Sequence, residues 1–168
     1  MINVTPTAAT KITDASVAHN VAAVIRGKLT RAGILTRAAE NRAAGPWAGR
    51  LEVKTSALDM DARTMSGGNQ QKVVIAKWLA TEPSLLIIDE PTRGIDVGTK
   101  AEVHRLLSEL AGQGLAILMI SSELPEVLGM ADRVLVVCEG RITADIPRDE
   151  ATPENVMLAA TRTREVPA

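Results

Sequence analysis

Three short apolar runs, each followed by polar residues or a turn, constrain the fold of this chain more than any other feature. Leu85–Ile88 ends in Asp89-Glu90, Leu115–Ile120 ends in Ser121-Ser122-Glu123, and Val134–Val137 is the third run. The first run is typical of a strand that is buried on both faces of a parallel sheet, and the other two are predicted as further strands of that sheet. Ligands on such sheets bind beyond the carboxyl ends of the strands, where the polar residues lie.

Between the apolar runs the periodicity changes to that of helices. One stripe has apolar residues at i, i+3, i+4 and i+7, as in an amphipathic helix: Val103, Leu106, Leu107 and Leu110. Further helices are predicted from Gly67 to near Ala80, over Glu126–Met130 and over Pro153–Ala160. Arg141–Asp145 follows a Glu-Gly turn as the second strand of a hairpin. The alternation predicts an α/β fold with a parallel sheet and right-handed crossovers.

The composition excludes some classes of binding partner and favours one type of cellular compartment. Phe and Tyr are absent and the net charge is −1, so the core must be aliphatic and the chain has neither a basic footprint nor stacking platforms for nucleic acid. The single cysteine, Cys138, excludes an internal disulfide and a Cys-ligated metal site, and it favours a reducing compartment. No apolar run approaches the roughly 20 residues needed to cross a bilayer, and no secretory signal is apparent, so we expect an intracellular protein.

Aliphatic residues are denser in residues 66–146 than in residues 1–65. We therefore predict a mostly helical, peripheral part over 1–65, a core-forming part over 66–146, and a helix with a tail over 147–168. Within the first part, Gly45-Pro46 predicts a helix break that Trp47 anchors.

The first candidate site is the run from Ser66 to Lys72, Ser-Gly-Gly-Asn-Gln-Gln-Lys. Ser66 is a good N-cap residue, and Gly67 and Gly68 let an outside group approach the backbone closely. The free amides and the dipole of the helix that begins there suit a phosphate. The alternative is a capped helix after a glycine turn.

The other candidates lie at the ends of the apolar strands. Asp89 at a strand tip can hold Mg²⁺ through water, and Glu90 can orient a water for attack on a phosphoryl group. Asp96, in the Gly94–Asp96 loop, and the Ser121-Ser122-Glu123 run can each cap a following helix. The alternative for the acidic pair is a strand that leaves the core at its first charged residues.

In this order and spacing, the motifs resemble those of the ATP-binding cassette (ABC) family. The resemblance is greatest to the second cassette of tandem-cassette ATPases that power bacterial sugar importers of the ribose, xylose and galactose type. It identifies Met65–Lys72 as the signature motif, Leu85–Glu90 as the Walker B strand, Gly94–Asp96 as the D-loop and Ile120–Glu123 as the switch loop. It covers roughly residues 50–160, and residues 1–50 match the family's helical subdomain only loosely.

The resemblance implies a P-loop-NTPase-like parallel sheet with flanking helices, part of a helical subdomain before it and a hairpin after it. It implies ATP and Mg²⁺ as cofactors, Asp89 as metal ligand and catalytic residue, and Glu90 as the second catalytic residue. The nucleotide-binding residues that it implies are Ser66, Gly67, Gly68, Asn69, Gln70, Asp96 and Ser122. The implied partners are a second cassette and permease subunits on the cytoplasmic face of the plasma membrane.

The sequence departs from the family at the P-loop, Gly-x-x-x-x-Gly-Lys-Ser/Thr. The single Gly-Lys pair is Gly27-Lys28, with Ala22 where the first glycine is required and Leu29 where Ser or Thr is required. Ser122 also stands where most relatives have histidine. We therefore expect weak ATP binding by the chain alone, and a signature helix that serves ATP bound to the opposite cassette.

A missing P-loop makes the chain similar to the C-terminal part of a cassette, with an incomplete sheet. Because the resemblance implies that the P-loop strand lies beside Leu85–Ile88, we expect a bare edge on that strand and poor solubility. Two alternatives remain beside an importer ATPase. One is a non-catalytic assembly or regulatory module, or an inactive truncated product, and the other is an α/β nucleotide-binding domain outside the family.

Overall fold

The computed structural model describes residues 2–4, 14–30 and 33–161. It divides into two compact units, Met1–Ile120 and Ser121–Ala168. The first unit holds a three-stranded parallel sheet with helices, and the second holds a two-stranded antiparallel hairpin with two helices. The predicted combination of parallel sheet, flanking helices and C-terminal hairpin is confirmed.

The sheet of the first unit has the order β1 (Ile2–Val4), β2 (Leu85–Asp89), β3 (Ala116–Ile120). All neighbours are parallel, and Leu86 pairs with a residue of β1 on one side and a residue of β3 on the other. Leu86 and Ile88 are fully buried, as expected for a central strand of a parallel sheet. The apolar run that ends at Asp89 is therefore the centre of this sheet.

The expectation of a bare edge on Leu85–Ile88 was wrong. The edge is covered because β1, a strand within a part predicted to be mostly helical, pairs along Leu86–Ile88. The outer strand on the other side is β3, whose Leu118 and Ile120 remain 42% and 47% exposed. The poor solubility expected from the Leu85–Ile88 edge consequently loses its physical basis.

Before the signature run, the chain forms α1 (Val17–Ala22), α2 (Arg26–Leu29) and α3 (Arg37–Arg50), with 3-10 turns at Ala23–Ile25 and Ala62–Thr64. Small and branched apolar side chains are buried where α1 and α3 pack together: Val17, Ala18, Val21, Ala44 and Ala48.

The predicted break at Gly45-Pro46 is wrong, because α3 continues through both residues to Arg50. Proline costs a helix one backbone hydrogen bond. The buried alanines on either side of Pro46, Ala44 and Ala48, show that this segment of α3 is held by packing.

Two long helices follow, α4 (Gly67–Leu79) and α5 (Val97–Gly112). Both were predicted, and the apolar stripe of α5 is buried as its periodicity indicates: Val103, Leu106, Leu107 and Leu110. Gly114, with φ of +94°, turns the chain into β3 in a backbone conformation that favours glycine.

The second unit consists of α6 (Leu124–Met130), β4 (Arg133–Cys138), β5 (Arg141–Pro147), a 3-10 turn and α7 (Pro153–Ala160). Its core contains three strand residues and two residues of α7: Val134, Val136, Ile146, Val156 and Ala159. The hairpin and α7 were predicted, α7 with the same bounds. The prediction that Val134–Val137 is a third strand of the parallel sheet was wrong, because β4 pairs antiparallel with β5 in a separate sheet and its side chains alternate between buried and more exposed positions. In the described part of the chain, no helix is long and apolar enough to span a membrane.

Candidate functional site

The amino end of α4 carries unused hydrogen-bond donors. Ser66 occupies the N-cap position and is exposed, but its side chain accepts no bond from the helix amides. The first amides of an α-helix have no partner within the helix, so this end presents N–H groups together with the positive end of the helix dipole. Gly67 is also exposed, so a ligand can approach this end of the helix at Gly67.

Asn69 and Gln70 stabilise the turn that leads into α4. Asn69 Nδ2 donates to Ser66 Oγ at 3.0 Å, and Asn69 Oδ1 accepts from the amide of Lys54 at 2.9 Å. Gln70 Nε2 donates to the carbonyl of Met65 at 3.1 Å. Because the Ser66 oxygen accepts from Asn69, its own O–H can donate to an acceptor outside the turn.

Gly68 is buried against α5, and the contact explains why this position is glycine. A Cβ at position 68 would overlap the Cγ2 methyl of Thr99 and lie 3.1 Å from its Cβ and its Oγ1. At Gly67 a Cβ would lie 3.7 Å from a methyl of Ile95, an ordinary contact. Of the two glycines, Gly68 is required by packing and Gly67 is not.

Asp96 caps α5, as its position predicts. Its Oδ1 accepts from the amide of Thr99 at 3.0 Å, and its Oδ2 accepts from the Thr99 hydroxyl at 2.6 Å. These bonds, first the hydroxyl and then the amide, hold the pKa of Asp96 below its usual value. The carboxylate is thus ionised and fixed over the first turn of α5.

We expect this cap to make the stability of the first unit depend on pH. The pKa of Asp96 is lower in the folded state than in the unfolded state. The stability that its ionised carboxylate adds is therefore complete above the unfolded pKa of about 3.9, and it is lost as pH falls through the lower folded value. Asparagine caps helices as well as aspartate does but does not titrate. The advantage of the wild type over Asp96→Asn should therefore shrink as pH falls through this window.

Urea denaturation followed by tryptophan fluorescence measures this, since Trp47 and Trp78 both lie in the first unit. Asp149→Asn, at an exposed position of the second unit, is the control. An advantage over Asp96→Asn that is unchanged across the acidic window would contradict the assignment.

Asp89 and Glu90 lie at the carboxyl end of β2, and both are half-buried. Asp89 pairs in register with Ile120, and the amide of Glu90 donates to the Ile120 carbonyl at 2.8 Å. Glu90 has a φ of +47°, a conformation that costs a non-glycine residue energy and that turns the chain out of the sheet. Pro91 and Thr92 are buried directly after it.

The structure brings the signature run and the D-loop together, since Gly67 lies next to Ile95 and Gly68 next to Thr99. The Gly68–Thr99 contact joins the amino end of α4 to the first turn of α5, and α5 follows the carboxyl end of β2 by one loop. Asp89 is the last residue of β2, and Glu90 begins that loop. Ser122 is exposed and belongs to the second unit, in which Ser121 bonds to both the amide of Glu123 and the carboxylate of Glu126.

The donor set fits a magnesium ion that is held mainly by its substrate. Among the described residues there is no group of three or more His, Cys, Asp or Glu side chains able to hold a metal. Mg²⁺ keeps several waters and commonly uses one or two carboxylates together with phosphate oxygens. Asp89 offers one such carboxylate, with Glu90 next to it.

Sequence reasoning missed the ion pairs beneath the signature helix. Lys72 Nζ, on a side chain only 4% exposed, lies 2.8 Å from Glu102 Oε2 on α5. Lys54 approaches Glu102 at 3.6 Å, and Arg105 approaches Glu52 at 3.0 Å. Lys72 lowers the pKa of Glu102 by its hydrogen bond and its charge. No sequence pattern identifies these partners, whereas the Asp-x-x-Thr spacing over 96–99 does signal the cap.

Comparison with known proteins decides the family. The family model described as "ABC transporter" matches residues 2–93, more than half of the chain. The chain belongs to the ABC transporter family. The match includes the signature run and the Walker B strand, so the resemblance drawn from those motifs is confirmed, and it extends into the part that matched only loosely.

Curated relatives of this ABC chain are named as ribose import proteins. It is 62% identical over 146 residues to Ribose import ATP-binding protein RbsA 2 of Streptomyces avermitilis, covering 87% of the chain and 29% of that protein. It is 59% identical over 150 residues to RbsA 1 of Streptomyces coelicolor, covering 89% and 30%. The chain thus spans about three-tenths of the length of these relatives.

Solved structures show the same fold. The ADP form of MJ1267, an ATP-binding cassette of an ABC transporter, has a TM-score of 0.73 at 21% identity over 96% of this chain and 68% of its own. CbiO1 from Clostridium perfringens, part of an ABC transporter complex, has a TM-score of 0.73 at 25% identity over 92% and 60%. The predicted P-loop-NTPase fold class is confirmed.

Proposed function

We propose that this ABC chain is part of the ATP-binding subunit of a carbohydrate importer, and that its Ser66–Gly68 turn closes over ATP held by a second cassette. One observation carries the proposal. The amino end of α4 is uncapped and exposed, and it packs against the first turn of α5 through the contact between Gly68 and Thr99. Such an end is an anion-binding element.

The substrate class is supported by the relatives, because eight of them, 51–62% identical, are named as ribose import ATP-binding proteins. We propose that the chain works with permease subunits at the cytoplasmic face of the membrane. The non-catalytic or truncated alternative is not favoured by these matches.

The residues of the four motifs have different roles in the proposed mechanism. The Gly67 and Gly68 amides and the Ser66 hydroxyl donate to phosphate oxygens, while Asn69 and Gln70 hold the turn in shape. Asp89 and Glu90 would act on a different nucleotide, one held by a P-loop of their own cassette, where Asp89 would hold Mg²⁺ that neutralises charge on the phosphates. At that nucleotide Glu90 would orient an attacking water and accept its proton. Asp96 fixes the neighbouring turn. For Ser122, in the second unit, we propose a role in nucleotide binding as part of the switch loop.

The triphosphate itself needs a P-loop from elsewhere. These 168 residues contain no Gly-x-x-x-x-Gly-Lys-Ser/Thr segment. The amides and lysine of such a loop make several charge-assisted hydrogen bonds, each worth roughly 1.5–3 kcal/mol. We therefore expect calorimetry to show no micromolar binding of Mg-ATP to the chain alone, and such binding would contradict this part of the proposal.

The test supplies the missing loop on a partner. A cassette with an intact P-loop but a disabled signature motif is mixed with this chain, and phosphate release is measured. We expect hydrolysis above that of the partner alone. Absence of any stimulation would count against the proposal.

A matched pair of variants shows whether the α4 amides carry the effect. The side chains introduced by Gly67→Asp and Gly67→Asn are equal in size, and a Cβ at position 67 makes an ordinary contact, 3.7 Å from Ile95. The aspartate places a negative charge where phosphate should bind, so we expect Gly67→Asp to stimulate at least about tenfold less than Gly67→Asn. Equal activities would show that no anion binds at this end.

A further inference from the structure

Thr99 touches both turns of the candidate site. Its Oγ1 donates to Asp96 Oδ2 at 2.6 Å, and its amide donates to Asp96 Oδ1 at 3.0 Å. The hydroxyl bond fixes the side-chain torsion of Thr99, because a β-branched side chain has few alternatives in a helix. The direction of its methyl is therefore set by Asp96.

That methyl lies against the backbone of Gly68. The approach is closer than any other residue at position 68 would permit, since a Cβ there would overlap Cγ2. The amino end of α4 therefore rests on a methyl whose position is determined by the cap of α5. One side chain therefore sets the positions of both turns, although Gly68 and Thr99 are 31 residues apart in sequence.

We propose that Thr99 is a positioning residue that locks the Ser66–Gly68 turn to the Asp96 turn, so that the two present themselves to a nucleotide as one rigid body. The effect of this lock on activity rests on the proposed function, whereas the contact between the two turns does not. If Thr99 were only a space-filling residue, valine of nearly the same shape would replace it without effect.

Amide hydrogen exchange measures the coupling without any ligand. The Gln70 amide makes the first helical bond of α4, to Ser66 O at 2.9 Å, and reports on that turn. Thr99→Val keeps the methyl bulk and removes the bond to Asp96. We expect exchange at Gln70 to rise about tenfold, and Gly68→Ala to raise exchange at the Thr99 amide across the contact.

Two further variants separate coupling from general destabilisation. Thr81→Val removes a comparable hydroxyl bond, from Thr81 Oγ1 to Trp78 O at 2.7 Å, at the other end of α4, and should change neither amide. Thr99→Ser removes Cγ2 and keeps the hydroxyl, so it should partly reverse the effect of Gly68→Ala, leaving contacts of 3.1 Å. Unchanged exchange at Gln70 in Thr99→Val, or no reversal by Thr99→Ser, would overturn the proposal.

The partner assay then links the lock to activity. Thr99→Val should stimulate the partner cassette less than the wild type, and Thr81→Val should equal the wild type. If the wild-type chain itself gives no stimulation, the proposed function fails while the exchange results still decide the role of Thr99. If the wild type stimulates and Thr99→Val stimulates equally, the lock has no role in activity and this inference fails.

Discussion

Leu86→Ala is expected to lower the free energy of unfolding of the first unit by about 3 kcal/mol. Leu86 is fully buried in β2, the central strand, with a strand paired on each side. Truncation removes the transfer free energy of its methyl groups and leaves a cavity, and Leu→Ala changes at such sites cost roughly 2–5 kcal/mol. Urea denaturation followed by tryptophan fluorescence measures the loss.

Leu118→Ala is the matched control. Leu118 lies on β3, the outer strand, and is 42% exposed. The same truncation there should cost less than about 1 kcal/mol, because less apolar area is removed from contact. Equal losses at the two leucines would contradict the assignment of β2 as the centre of the sheet.

The second large effect is an asymmetry between the two partners of the Lys72–Glu102 pair. We expect Glu102→Gln to lower the melting temperature by about 5 °C or more, and Lys72→Met to change it by less than about 2 °C. Glu102→Gln keeps an amide oxygen as an acceptor but removes the negative charge that lies 2.8 Å from the buried ammonium of Lys72, whose other partner is the Glu52 carbonyl at 3.5 Å. Removing Lys72 leaves Glu102 partly exposed and close to Lys54.

Methionine is chosen because it fills the volume of the lysine stem without a charge. Thermal unfolding followed by tryptophan fluorescence measures both variants. If Lys72→Met is the more damaging change, then the attraction between Lys72 and Glu102 outweighs the free energy that burying the Lys72 ammonium costs. That result would contradict the expected asymmetry.

The sequence allowed the strand, helix and hairpin pattern of residues 66–160 to be predicted because the apolar periodicity there is strong. The α5 stripe and the cap by Asp96 follow directly from spacing. The edge that β1 covers was not predictable, because three residues carry no periodicity and their pairing with Leu86–Ile88 depends on tertiary structure. For the same reason, the continuation of α3 through Pro46 was missed: local propensity was overridden by packing.

The candidate site was predictable as a set of motifs but not as a geometry. Nothing in the sequence indicates that Gly68 meets Thr99 or that Lys72 is buried beside Glu102. Both contacts join α4 to α5, and contacts between helices depend on how two surfaces pack. The roles of Asn69 and Gln70 in shaping the turn likewise became visible only through their partners Ser66 and Met65.

The central claim is that the amino end of α4 receives phosphate from ATP held by another cassette. Backbone amide chemical shifts of Gly67 and Gly68, recorded by NMR on the full chain, test it most directly. We predict that both amides shift when the partner cassette and Mg-ATP are present together, and that neither shifts with Mg-ATP alone or with the partner alone. Shifts with Mg-ATP alone, or none with both present, would contradict the account.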